Sequence, residues 1–325
     1  MSLRWIHALA ACCVMATSLP AQRYSDIDRA DALLAAGRLV AAENIYYDAA
    51  RQRPRDPATR RALGRYLAAR GALRIGAVLL EEARYFGGDK QAVAADLAPV
   101  YAALGDYRAL TALPAGPLTT PERRRAEYLA ANAPAIALND SAVVPLTPAT
   151  REGVGDIPVV IDLDTLIATI DPATTGLVLD TSWARRRSSR LFGSAVDARR
   201  ASGVVSEVNI GSASLRRVPA RYTPMPAGRA RIGPDILATL TPTIDEKKRQ
   251  LILRAPRARV RTAGDQLLTF TTRASMLVTS PDSASRTTGS TGSVAVAIDS
   301  PMGRALLAGR RWTWIARAGV IWVER

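Results

Sequence analysis

Histidine and cysteine are nearly missing from this sequence. Its 325 residues hold one histidine, His7, and two cysteines, Cys12 and Cys13, all close to the N-terminus. Beyond that stretch no Ser-His-Asp triad, cysteine nucleophile, imidazole or thiolate zinc site, or disulfide framework can be assembled. Carboxylate chemistry, lysine or serine/threonine chemistry, an oxygen-ligated metal, or binding alone remain, and the reading assigns no cofactor and no metal. Lysine is scarce too: of 44 basic residues, all but Lys90, Lys247 and Lys248 are arginine. The formal net charge of +15 invites a nucleic-acid partner. Yet the arginines are scattered, and no basic run is interleaved with aromatics. The densest run, Arg185, Arg186, Arg187 and Arg190, reads as a solvated face, so no nucleic-acid partner is expected.

Long apolar runs are also lacking. No segment approaches the roughly 18 uninterrupted apolar residues that a membrane span requires. Residues 1–22 begin with an arginine, continue with an apolar stretch from Trp5 to Met15, and end in small residues and Pro20. This is the layout of a secretory signal, with cleavage expected near Ala21 or Gln22. Leu9-Ala10-Ala11-Cys12 also resembles a bacterial lipobox, which would make Cys12 a lipid anchor, but it comes early in the apolar stretch. The expected location is therefore exported, periplasmic or extracellular, with a lipid anchor as the alternative. The 48% hydrophobic and 22% charged content is that of a folded chain.

Residues 23–132 carry a beat of 34 residues, set by Gly37, Gly71 and Gly105. Around each glycine the text repeats: LLAAGRLVAAENIYYDAARQRP, YLAARGALRIGAVLLEEARYF, YAALGDYRAL. Glycine is needed where a helix ends in a left-handed residue, and Ala42, Ala49 and Ala83 let paired helices approach. The pattern resembles tetratricopeptide repeats. That resemblance implies stacked helical hairpins that bind a peptide or protein and carry no chemistry of their own. Gly76 departs from the alanine the repeat prefers, and the third unit runs into Pro114 and Pro117, which makes it truncated or a cap. A further helix over 121–132 is expected, with Thr119 or Thr120 as its N-cap.

Residues 133–153 read as an extended linker with one short strand at 142–146. Residues 154–256 then turn to short β-rich runs about ten residues apart, which suggests a compact barrel or sandwich. Within them, Ile170-Asp171-Pro172-Ala173-Thr174-Thr175-Gly176 follows an apolar strand. Val208-Asn209-Ile210-Gly211 comes later, and Ile232-Gly233-Pro234-Asp235-Ile236-Leu237 precedes Thr243-Ile244-Asp245 and Leu251-Ile252-Leu253. In order and spacing this resembles the bacterial retropepsin-like aspartic peptidase domain. The fold class implied is multidomain α + β: a helical repeat array, an all-β acid-protease barrel, and a β-rich extension over 257–325.

The resemblance implies peptide-bond hydrolysis by a water activated between two aspartates that share a proton. One barrel supplies one aspartate, so a homodimer would complete the pair. Carried over by position, Asp171 takes the catalytic place, in an active-site loop of Pro172, Ala173, Thr174 and Thr175. Pro172 replaces the family's Thr or Ser, Ala173 its Gly and Thr174 its Ala; Thr174 or Thr175 could restore the bracing hydroxyl. Asp180 is a second candidate, though it sits where a helix N-cap is expected. Ile232, Gly233 and Asp235 form the structural loop behind the site. The alternative is an inactive barrel kept as a protein-binding or assembly module. In the tail, Ser280–Ser293 reads as a loop, and Trp312, Trp314 and Trp322 suggest a final hairpin turning at Ala318-Gly319. Asp299 weakly echoes Asp171, by chance.

Overall fold

A computed structural model describes residues 19–149, 153–186, 190–192, 202–255, 264–271, 276–279 and 295–324. The leader up to Ser18, the Ser280–Ser293 loop, Arg187 and the side chains of Arg185, Arg186 and Arg190 lie outside the described residues.

The N-terminal part is helical. Helices α1 (Leu19–Ala35) and α2 (Leu39–Gln52), α3 (Pro57–Ala69) and α4 (Leu73–Tyr85), and α5 (Lys90–Leu104) and the short α6 (Tyr107–Thr111) pair in sequence order, and α7 (Thr120–Ala131) follows. Gly37, Gly71 and Gly105 turn the chain between partners at φ of +73°, +90° and +70°, a region that any Cβ penalises. Helix starts are capped by side chains: Asp56 accepts from Thr59 N, and Asp89 from Gln91 and Ala92 N. Thr119 and Glu122 form a reciprocal capping box ahead of α7, which satisfies two orphan N–H groups at once.

The β region contains two sheets. The first runs β1 (Ala135–Ala137), β8 (Ala213–Thr223), β5 (Leu177–Asp180), β9 (Arg229–Ile232), β4 (Asp164–Ile170), β3 (Gly155–Ile161), β7 (Ser202–Ile210), β6 (Arg190–Phe192), and a direct β7–β8 pairing closes it into a barrel. Ile157, Ile161, Leu177, Leu179, Ile210 and Ile232 are fully buried in it. The second sheet runs β14 (Val296–Ala297), β13 (Met276–Thr279), β12 (Asp265–Thr271), β16 (Val320–Val323), β15 (Arg311–Ile315), β10 (Thr243–Asp245), β11 (Gln250–Arg254), β2 (Ser141–Pro145).

This second sheet redraws the expected divisions. Residues 133–153 supply a strand to each sheet, β1 to the barrel and β2 to the other. The β10–β11 hairpin leaves the barrel, and the described strands beyond residue 257 join it without extending the barrel. Period-2 alternation shows that a segment is a strand; it does not show which neighbour the strand takes.

Two helix–hairpin units meet edge to edge in that sheet. Helix α9 (Pro234–Leu237) leads into β10–β11, and α10 (Pro301–Leu307), capped by Ser300, leads into β15–β16. β10 and β15 are antiparallel, with Thr243 opposite Thr313 and Ile244 opposite Trp312. The two threonine hydroxyls are 2.7 Å apart and buried. Trp312 and Trp314 are buried in the core shared with the barrel, and Gly319 (φ +62°) makes the expected hairpin turn.

The helices rest on both sheets. Phe270 of β12 enters the helical core, 5.6 Å from the Tyr66 ring, which is itself 5.3 Å from Tyr46. Ala295 N donates to Gly37 O at 3.0 Å. The turns at Gly71 and Gly319 touch so closely that a Cβ on Gly319 would lie 1.9 Å from Arg70 O. At the other end, Arg125 of α7 donates to Ala220 O of the barrel at 3.1 Å, and Tyr128 packs 5.9 Å from Phe192. No helix among the described residues is long and apolar enough to cross a membrane.

Candidate functional site

Strand β4 ends in three buried residues, Ala168, Thr169 and Ile170, and the chain then turns through Asp171-Pro172-Ala173-Thr174. Parallel pairing with β9 puts Ile170 beside Ile232, so the loop after β4 meets the loop after β9. Asp171 N donates to Ile232 O at 3.1 Å and Gly233 N to Gly176 O at 2.8 Å. A Cβ on Gly233 would lie 2.4 Å from Thr174 O, so glycine is what lets the two loops cross.

Asp171 is 7% exposed. Its Oδ1 accepts from Ala173 N at 2.9 Å and its Oδ2 from the Thr174 hydroxyl at 2.8 Å. Pro172 has no N–H, so Ala173 makes the first inward bond. The third partner is Arg231 of β9, whose Nη1 lies 3.4 Å from Oδ2; the arginine side chain is 50% exposed. Among the described residues no second carboxylate is a partner of Asp171.

The rest of the loop is held from behind. Thr175 O accepts from Arg221 Nη2 at 2.8 Å. Gly176 N donates to both oxygens of Asp235, at 2.8 and 3.0 Å. Burial pushes the Asp235 carboxyl up from its ordinary value, while N–H groups of Gly176, Asp235 and Ile236 pull the other way. Asp180 stands apart at the start of helix α8 (Thr181–Arg186), where it accepts from Ser182 N at 2.9 Å and Met225 N at 3.1 Å. Burial alone would raise the Asp180 carboxyl, but hydrogen bonds from Ser182, Met225 and Trp183 hold it below its ordinary value. This is the geometry of a helix N-cap.

Sequence reasoning missed the arginines. β9 reads Arg229-Ala230-Arg231-Ile232, with Ala230 and Ile232 buried, so alternation places Arg229 and Arg231 on the other face. Arg229 pairs with buried Asp156 at 2.8 Å, and Asp156 also accepts from Thr169 at 2.6 Å. The two Asp–Arg pairs thus lie side by side on one barrel face. The R-A-R-I alternation was a readable signal; its acidic partners were not, because β9 lies beside β4 only through a parallel crossover. Among the described residues no group of three His, Cys, Asp or Glu could hold a metal ion.

No family model matches the chain, and no curated protein matches it. Among solved structures, the crystal structure of a retropepsin-like aspartic protease from Rickettsia conorii is similar over 38% of this chain and 93% of that one. Identity is 10% and the TM-score 0.27, so the function must be argued from the site itself.

Proposed function

We propose that the chain is an exported, monomeric protein-binding module, in which a tetratricopeptide-like scaffold carries a retropepsin-like barrel that does not hydrolyse peptide bonds. The observation that carries this reading is the company of Asp171. Two-carboxylate hydrolysis needs one acid and one base that share a proton. Here the charged partner of Asp171 is a guanidinium, at 3.4 Å, and a guanidinium does not release a proton in a protein. Sheet topology supports the same reading. The strands that follow the crossing loop have no free edge for a second copy: β10 lies between β11 and β15, and β11 between β10 and β2. The chain fills that edge with its own second helix–hairpin unit.

Hydrolysis by a homodimer with paired Asp171 residues is the second reading. It is favoured by the Thr174 hydroxyl, which reaches Asp171 at 2.8 Å and could replace the bracing hydroxyl missing at position 172. One experiment separates the two. The full chain and Asp171→Asn are incubated with unfolded casein from acid to neutral pH, with and without pepstatin, and mass is measured by light scattering. The proposal expects a monomer and no pepstatin-sensitive cleavage. A dimer whose cleavage disappears both with pepstatin and in Asp171→Asn would establish the peptidase.

A further inference from the structure

The turn that follows helix α10 is tied to the tip of the β10–β11 hairpin. Glu246 N donates to Arg310 O at 3.2 Å, and Gly309 N donates to the Glu246 carboxylate at 2.7 Å. Leu146 N, just past β2, holds the same hairpin from its other side by donating to Arg249 O at 2.8 Å. The two tips therefore form one surface. Its cations are Lys247, Lys248, Arg249 and Arg310, all exposed. Helix α10 adds an apolar element: Gly303 and Leu307 are buried, while Met302 is 63% and Leu306 39% exposed. Four positions apart, these two side chains share one helix face.

Residues 245–249 and 309–311 hold five cations against two carboxylates, and both carboxylates are engaged inside the fold. Asp245 is 5% exposed, caps the hairpin through Lys248 N at 3.0 Å, and lies 4.0 Å from Arg311. Glu246 is taken up by Gly309 N. Of the acids nearby in the fold, Glu324 pairs with Arg311 at 3.6 Å, and Asp299, ahead of α10, has a partner of its own. Lys247, Lys248, Arg249 and Arg310, with Arg304 of α10, have no side-chain hydrogen bond or ion pair among the described residues. The charge left facing solvent is therefore positive, and it lies beside exposed aliphatic side chains.

We infer that this surface docks the protein on an anionic lipid bilayer. The cations lie at the level of the lipid phosphates, and Met302 and Leu306 enter the boundary between headgroups and acyl chains. Interfacial binding draws on these two contributions, electrostatic attraction to anionic lipid and shallow burial of apolar side chains. No aromatic side chain stands among the exposed residues of the patch to stack nucleotide bases. A second copy of a chain with net charge +15 is a poor complement to a basic surface. The inference goes beyond the binding-module reading and does not depend on it, so its failure leaves the Asp171 argument standing.

The full chain is co-sedimented with vesicles of phosphatidylcholine alone and with vesicles containing about one-third phosphatidylglycerol. Binding is expected to be at least about tenfold tighter with phosphatidylglycerol and to weaken with added salt. K247A/K248A should raise the lipid Kd by about thirtyfold, the effect of two surface cations lost, and M302S/L306S by about tenfold. Both variants alter exposed side chains, and an unchanged thermal melt shows that they fold. Both keep the apolar stretch of residues 1–22, so a difference from wild type reports the patch alone. Equal affinity for the two vesicle types overturns the proposal, as does wild-type binding by either variant. So does binding to a DNA duplex as tight as that to the vesicles and equally lost in K247A/K248A, which would assign the cations to nucleic acid. Self-association in light scattering that is lost in M302S/L306S would give α10 to a second copy and likewise overturn it.

Discussion

Phe270 tests whether the helical array and the β region form one cooperative body. It belongs to β12, yet it is 6% exposed within the helical core and lies 5.6 Å from the Tyr66 ring. Phe270→Ala removes that ring and leaves a cavity beside Tyr66 in the helical core. The expected cost is about 3–5 kcal/mol, the range for truncating a buried phenylalanine. At roughly 2–4 °C per kcal/mol the midpoint should fall by on the order of 10 °C. The assay is thermal unfolding followed by two probes. Far-UV circular dichroism is weighted to the helices; of the five tryptophans, Trp183, Trp312, Trp314 and Trp322 lie in the β region, and Trp5→Phe removes the fifth from the fluorescence signal. In the wild type the two curves should coincide, and in Phe270→Ala both should shift. Met302→Ala, 63% exposed, serves as the control and should change stability by no more than about 0.5 kcal/mol. A Phe270→Ala protein within about 1 kcal/mol of wild type, a shift far below the cavity cost, would refute the seating of β12 in the helices.

Gly233→Ala forces a Cβ to within 2.4 Å of Thr174 O and 2.5 Å of Asp235 Oδ1; a loss of about 1–3 kcal/mol is expected in denaturant unfolding, and an unchanged midpoint would show that the loops do not cross as described. Asp235→Asn should alter the pH dependence of stability. Because burial raises the Asp235 carboxyl, the folded state holds its proton more tightly than the unfolded chain does. The contribution of this group is therefore fully present below the ordinary carboxylate value, about 4, and is lost as pH rises through the raised folded value. Wild type should lose stability relative to Asp235→Asn across that window in urea melts, and parallel pH profiles would contradict the assignment.

Local chemistry made much of the layout legible. The left-handed turns at Gly37, Gly71 and Gly105 and the capping box at Thr119 rest on interactions within a few residues, and so does the final hairpin at Gly319. Asp180 could be read as a cap for the same reason: its partners include Ser182, two positions away. The position of Asp171 at the end of a buried strand followed from the apolar run before it. Its partner Arg231 lies 60 residues further along the chain, and Asp235, which clamps the Gly176 N–H, 59 residues beyond Gly176. No window of sequence contains either contact.

The amino-acid order alone determined the helical character of residues 23–132, the strand that ends at Asp171, the turns at Gly37, Gly71, Gly105 and Gly319, and the removal of imidazole and thiolate chemistry from all but the first residues; it did not show helix α10 (Pro301–Leu307) within the β-rich tail. These follow from backbone conformation and residue inventory, which are local. Only the tertiary structure decided that the β10–β11 hairpin leaves the barrel to pair with β15, that Phe270 enters the helices, and that Asp171 faces a guanidinium. Strand neighbours and buried charge partners are chosen by shape and electrostatic fit across the folded molecule, and sequence separation places no limit on that choice.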